Sequence, residues 1–315
     1  MRTTPVFDKN NPLRDLTYVT TNISGSEVFY SNELAFAECD YDHKEVKLLD
    51  IASSQISIYP LYNERLINVN EDGTSSIDHL NLKTSTIVEI YSDVDYRSVF
   101  ISNKCLCEHL RIGGNVSRIP VLKDFKAKYL FVNKKFFSGD KDNFETEREL
   151  IAEKNKRKGI QPFENIIEHG GYVEFIFNKS FVPYIIGIHG FKKYNLENSR
   201  CLKHKLSIRL LKLINYYHNE GGYRKSRHSR AFDLKEFMGF LGVIPKSYRT
   251  NPTLLFNKGV NPALKEISKV VGIHYKAETF AFPSGKKGRP SISSVRLVPL
   301  LMEETNLSHT QEGVS

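Results

Sequence analysis

The sequence predicts an α+β chain of two similar domains, each a pair of helices joined by a turn and closed by a β-hairpin. Three observations carry this. Between Leu206 and Val271, apolar residues recur at steps of three and four, in runs separated by turn residues. The strand-like stretches "IHYKAETFAF" and "ISSVRLVP" follow, joined by the turn "PSGKKGRPS". A looser copy of the same order stands in the first half of the chain.

Residues 1–26 read as an extended polar lead-in. The next stretch, "EVFYSNELAFAECDYDHKEVKLLDIASSQI", has helical periodicity in Leu34, Ala37, Val46, Leu49 and Ile56, which predicts two helices broken near Asp40–Asp42. Residues 59–86 are polar and turn-rich and read as an insertion at the surface. "STIVEIYSDVD" reads as a strand and "YRSVFISNKCLCEHLRI" as a helix ended by Gly113–Gly114. "NVSRIPVLKDFKAKYLF" reads as a second helix leading into a strand. A second insertion, near 139–170, includes a stretch of mixed charge at 140–158 that predicts a solvated helix or a mobile loop. "YVEFIFNKSFVPYI" alternates like a strand, with Val173, Phe175 and Phe177 on one face. These elements make a first domain over 27–190.

"GFKKYNLENS" is the expected linker into a second domain over 191–300. That domain opens with the amphipathic helix "CLKHKLSIRLLKLINYYHN". A shorter helix, "DLKEFMGFLGV", has Asp233 as its expected N-cap and Gly242 near its stop. After the turn "IPKSYRT" comes a longer helix, capped by Asn251 with Pro252 in its first turn. Its apolar stripe (Phe256, Val260, Ala263, Leu264, Ile267, Val270 and Val271) crosses Pro262 without losing phase. Proline inside a helix removes a hydrogen bond and clashes with the preceding turn, so a bend at Pro262 is expected. Residues 301–315 read as a disordered tail.

Charge is divided unequally along the chain. Residues 199–300 hold 20 Lys and Arg against 5 Asp and Glu; the whole chain has 45 and 36, which leaves 25 and 31 elsewhere. A basic C-terminal third beside an acidic remainder points to a polyanionic partner held by one region. The four cysteines, at 39, 105, 107 and 201, make no disulfide framework. Cys105, Cys107 and His109 lack a second ligand pair, so "NKCLCEHL" reads as a helix with buried thiols rather than a metal site. With no signal-peptide core and no membrane-length apolar run, a reduced cytoplasmic protein is expected.

Helix, short helix, turn, longer helix and hairpin is the order of a winged helix, in which the longer helix enters the DNA major groove. The expected double-stranded DNA contacts are Lys246, Ser247, Tyr248 and Arg249 in the turn, and Asn251, Thr253, Asn257 and Lys258 on the helix. Lys286, Lys287 and Arg289 stand at the tip of the wing. Arg and Asn suit guanine and adenine edges, while Lys and a helix N-terminus suit phosphate. In the first domain the corresponding candidates are Asn115, Ser117, Arg118, Lys123 and Lys126. The wing there is expected from "YLFVNKKFF" and "YVEFIFNKSF", unless that domain serves assembly alone.

No cofactor, metal or catalytic residue is expected. A P-loop is absent because Phe280 stands where its first glycine belongs. There is no His-x-His pair for a nicking endonuclease, and Tyr216, Tyr217 and His218 read as a helix end.

From Tyr172 to Arg289 the residues resemble the replication initiators of iteron-bearing, theta-replicating plasmids. The resemblance rests on Phe181–Tyr184, Phe191–Leu196, the "SIRL" of Ser207–Leu210, Leu241–Gly242, Phe256–Ile267 and the Lys286–Arg289 turn, in that order. It implies two tandem winged-helix domains binding direct repeats at an origin, and origin opening with recruitment of a host replicative helicase and host initiator. It also implies a monomer–dimer balance and repression of the protein's own gene. A dimeric winged-helix repressor on an inverted repeat is the alternative.

Overall fold

The computed structural model describes residues 19–39, 41–69, 75–77, 83–112, 125, 127–132, 158–186, 191–218, 228–242, 244–282 and 291–300. The chain divides into two compact units, residues 1–200 and 201–315.

The first unit runs through β1 (Val19–Thr20), β2 (Glu27–Ser31), α1 (Asn32–Ala35), β3 (Glu38–Cys39), α2 (His43–Ser53) and α3 (Tyr59–Asn63). It continues with β4 (Ile67–Val69), β5 (Ser75–Ile77), α4 (Thr84–Ile90), α5 (Val94–Arg97), β6 (Ser98–Ser102) and α6 (Asn103–Leu110). Strands β7 (Leu130–Val132), β8 (Lys158–Ile160), β9 (Phe163–Glu168), β10 (Tyr172–Phe177) and β11 (Phe191–Asn195) follow, and α7 (Leu196–Cys201) closes it.

Helix α2 is the best-marked element. Asp42 accepts from the backbone N–H of Lys44 and Glu45 at 2.8 and 2.9 Å, while the Glu45 carboxylate accepts from the Asp42 N–H at 2.7 Å. This reciprocal capping box satisfies donors that helix geometry leaves open. Its partner α6 starts straight from β6, with the Ser102 hydroxyl accepting from the Cys105 N–H at 3.2 Å. It ends on Arg111 in the left-handed region, φ 56°.

Several expectations for this unit give way. The helix expected from Glu27 is strand β2 followed by the single turn α1, because Val28 and Tyr30 alternate inward with half-buried neighbours. The strand expected in "STIVEIYSDVD" is α4 and α5; Ile87 and Tyr91, four apart, are both buried, which is a helical face. Near the start of the helix expected over 96–112, residues 98–102 are instead β6, where Val99 and Ile101 alternate inward. The expected linker is β11 and α7: residues 191–195 pair antiparallel with β2, Tyr194 opposite Val28. β7 does not pair with β10 as a wing. It lies between β3 and β8, while β10 lies between β6 and β9.

Strand β10 behaves as its alternation predicts, with Val173, Phe175 and Phe177 all buried. They join an aromatic core in which the Phe163 ring lies 5.4 Å from Phe125, 5.4 Å from Phe175 and 4.8 Å from Phe177. Within residues 59–86, α3 buries Pro60 and Leu61, and β4 pairs with β5.

The second unit contains α8 (Ser207–Tyr217), β12 (Phe232–Asp233), α9 (Leu234–Leu241), α10 (Lys246–Thr250), α11 (Pro252–Leu255), a π-turn over Phe256–Val260, α12 (Asn261–Val271), β13 (Tyr275–Phe282) and β14 (Ser291–Pro299). β14 is central in a three-stranded antiparallel sheet, between β12 and β13. The expected turn "IPKSYRT" is mostly α10. The caps are as the sequence predicts: Asp233 accepts from the N–H of Lys235 and Glu236, and α9 stops on Gly242 at φ 80°. The buried aromatics stack in series, with Phe232 6.1 Å from Phe237 and Phe237 6.3 Å from Phe256.

Candidate nucleic-acid interface

The helix expected to read DNA is built from three pieces. Asn251 starts α11, its side-chain oxygen accepting from the Leu254 N–H at 3.1 Å, with Pro252 next. The hydrogen-bond pattern then widens to a π-turn, in which the Asn261 N–H reaches the Phe256 carbonyl. Regular helix resumes as α12 with Pro262 in its first turn. The irregularity expected at the proline therefore lies in the turn just before it. A proline has no N–H to offer the carbonyl four residues back, and a π-turn is one way to rearrange the ladder there.

The burial pattern separates two faces. Leu255, Phe256, Gly259, Val260, Ala263, Leu264 and Ile267 are buried, whereas Thr253, Asn257, Lys258 and Asn261 are exposed. Lys246, Ser247 and Arg249 are exposed on α10, Asn251 is exposed between α10 and α11, and Tyr248 is half-buried. The structure thus brings the expected candidates of this unit to one stretch of consecutive turns. The remaining candidates lie outside the described residues. These are Lys286, Lys287 and Arg289 on the wing, and Asn115, Ser117, Arg118, Lys123 and Lys126 in the first unit.

Two residues that the sequence did not single out organise this surface. Glu266, on the half-buried flank of α12, accepts from the Ser207 hydroxyl at 2.6 Å and from the backbone N–H of Lys203 and His204 at 2.8 and 3.0 Å. It ties down the turn that leads into α8, whose N-cap residue Leu206 makes no side-chain cap bond, and places a carboxylate near the start of that helix. Burial pushes its carboxyl pKa up, but these three hydrogen bonds and the nearby His204 outweigh that and hold it below the ordinary value. His204 places Nε2 3.3 Å from the carbonyl oxygen of Lys258, while its Nδ1 accepts from the Leu206 N–H at 3.3 Å. Ser207 and Glu266 lie in two of the quoted motifs, and that is the signal that links them; nothing local announces a bond across 59 residues.

Other side chains with chemical potential are committed to packing. Cys105 and Cys107 are buried on α6, and burial together with Glu108 raises both thiols, Cys105 to about 11. Protonated thiols of this kind are poor metal ligands. Among the described residues no cluster of His, Cys, Asp and Glu could hold a metal ion. Tyr217 ends α8 as expected, with its ring edge-on to Phe232 at 6.4 Å. Among the described residues no helix is long and apolar enough to cross a membrane.

A family model described as Initiator Replication protein, WH1, matches residues 27–215, more than half of the chain. The chain belongs to the initiator replication protein family. The match takes in almost all of the described first unit and reaches into α8 of the second, which makes the fold α+β with winged-helix architecture. Among solved structures, the chain is similar to one titled "Crystal structure of Pi initiator protein in complex with iteron DNA". The two are 16% identical over 89% of this chain and 99% of that one, with a TM-score of 0.46. Comparison with curated proteins finds no match. For this initiator-family chain, the surface formed by α10, α11 and the π-turn is the strongest candidate interface among the described residues.

Proposed function

We propose that this chain is a plasmid replication initiator that binds direct repeats of double-stranded DNA at an origin. In this reading it opens adjacent DNA, recruits the host replicative helicase and host initiator, represses its own gene, and works in the cytoplasm without catalysis of its own. One observation carries the DNA-binding part. Lys246 and Arg249 stand exposed on α10 and Asn257 and Lys258 on the π-turn, whose opposite face (Phe256, Gly259 and Val260) is buried in the core. An α-helix fits the major groove, where Arg and Asn can make paired hydrogen bonds to base edges. The excess of basic residues over 199–300 supplies the sequence-independent attraction to phosphate.

The second-unit contacts are Lys246, Ser247, Arg249, Asn251, Thr253, Asn257 and Lys258, with Tyr248 bordering them. The wing adds Lys286, Lys287 and Arg289. The test is footprinting of the purified protein on DNA flanking its own gene, at two salt concentrations. Regularly spaced protection that survives the higher salt is the expected result. Protection of a single palindrome would replace this reading with a dimeric repressor. Metal-dependent cleavage of an origin strand would replace it with a nicking enzyme.

A further inference from the structure

The π-turn sits where the exposed Asn257 and Lys258 are presented, and it contains a carbonyl with an unusual set of partners. In a regular helix the Lys258 carbonyl would accept from the N–H of residue 262, which is a proline. Here that oxygen accepts from the Tyr248 hydroxyl at 3.2 Å, and His204 Nε2 lies 3.3 Å from it. Because His204 Nδ1 already accepts from the Leu206 N–H, a neutral ring carries its proton on Nε2 and donates it to the same carbonyl. One carbonyl has two lone pairs, so two donors from separate elements fit it.

Packing fixes the reach of the tyrosine. A Cβ placed on Gly259 would meet Tyr248 Cε2 at 3.1 Å and Leu206 Cδ1 at 3.0 Å. The ring therefore lies directly on glycine backbone, and its hydroxyl comes within bonding distance one residue away. Any larger residue at 259 would push the ring and Leu206 outward.

We propose that Tyr248 and His204 are positioning residues: they clamp the carbonyl that Pro262 leaves without its helical donor. In doing so they fix the π-turn and the direction in which Asn257 and Lys258 leave the helix. This rests on the reading of that surface as a base-reading one. It gives Tyr248 a role distinct from DNA contact, because its hydroxyl is turned from α10 to the π-turn.

The test measures affinity for a duplex carrying the footprinted repeat and for a scrambled duplex at equal salt. The proteins are wild type, Y248F, P262A and the Y248F/P262A double variant, each also followed by thermal unfolding. Y248F should lower the ratio of specific to scrambled affinity about fivefold, the equivalent of one net hydrogen bond, and leave scrambled binding unchanged. P262A restores an N–H for the Lys258 carbonyl, so Y248F should lose most of its effect in that background. An equal Y248F effect in both backgrounds overturns the proposal. So does a Y248F loss that falls equally on both duplexes, which would mean unfolding or a phosphate contact. Wild type that fails to discriminate the two duplexes would instead overturn the functional reading beneath it.

Discussion

The two units surround their helices with different interiors. In the second, α8 faces its neighbours through Leu206, Leu210, Leu213 and Ile214, and the phenylalanine series 232, 237 and 256 fills the space behind α9. Buried Arg209 on α8 donates from Nε to the Phe240 carbonyl at 2.8 Å, at the end of α9. In the first unit, α2 turns Glu45, Lys47 and Asp50 inward, all nearly inaccessible to solvent. Glu45 pairs with Lys128 at 2.6 Å, and Lys47 donates to the Arg200 carbonyl at 3.1 Å. Asp50 accepts from the Tyr194 and Ser199 hydroxyls at 2.5 and 2.8 Å. Against the same helix, α6 contributes His109, fully buried, which burial drives to a pKa of about 4 and so keeps neutral near pH 7. An apolar interior is non-directional. Buried polar groups are costly unless paired, so they bind α2 to particular residues on β11 and α7.

The sharpest way to break this contrast is to hollow the apolar interior. Phe237 is fully buried between Phe232 and Phe256. F237A should destabilise the second unit by about 3–5 kcal/mol through lost burial and the cavity left behind. Chemical unfolding followed by hydrogen exchange should show early opening of α8–α12, with α2 and α6 unaffected. Equal loss of protection in both units would mean that their interiors are not separate.

The matching experiment in the first unit is D50A. It strands the hydroxyls of Tyr194 and Ser199 without their acceptor in a buried site, which should cost about 2–4 kcal/mol. Protection should be lost first at α2, β11 and α7. If D50A were no worse than an exposed substitution such as E64A, the polar interior would contribute nothing to that unit.

The same contrast explains what could be read from sequence. The second unit was legible because its signals are local: Asp233 and Asn251 as caps, Gly242 as a stop, and a 3.6-residue stripe through Ile267. The first unit departs from its local sequence signals where the deciding contact is distant. Strand β2 pairs with β11 across more than 150 residues, and nothing in "EVFYS" alone separates a short buried strand from a helix turn. Over 84–90 the β-branched residues in "STIVEI" favour a strand, while packing of Ile87 and Tyr91 selects the helix. On the candidate interface, the exposed Asn257 and Lys258 follow from the helical stripe. The Lys258 carbonyl clamp does not, since it joins residues 204, 248 and 258 through backbone.

Binding substitutions sharpen the comparison on the outer surface. R249A and N257A should each weaken binding to the specific repeat by about 1–3 kcal/mol and relax base preference at one position. K286A and K287A should weaken all sequences alike and each reduce the salt slope by about one. Competition binding against single-base variants of the repeat separates the two classes. If R249A and N257A both leave the preference intact, the second unit reads DNA elsewhere.

The smallest expected effect tests the carboxylate that ties the turn before α8 to α12. Glu266 carries a lowered pKa in the folded protein, because hydrogen bonds from Ser207, Lys203 and His204 outweigh its partial burial. A carboxyl depressed on folding contributes stability that is fully present above its unfolded value, near 4.5, and is lost as pH falls through the folded one. E266Q keeps the shape but loses the charge at the start of α8, where the helix dipole favours an anion. At neutral pH it should lower the stability of the second unit by about 1 kcal/mol, a value kept small by the solvent that reaches the group. Between pH 5 and 7 the gap to wild type should stay constant, and below about pH 4.5 it should close, because the wild-type carboxyl becomes neutral as well. Unfolding midpoints of both proteins across that range give the measurement. Curves that remain parallel down to pH 3 would show that the charge on Glu266 does not hold the turn before α8, and would leave the apolar packing of the second unit as the larger contribution to its stability.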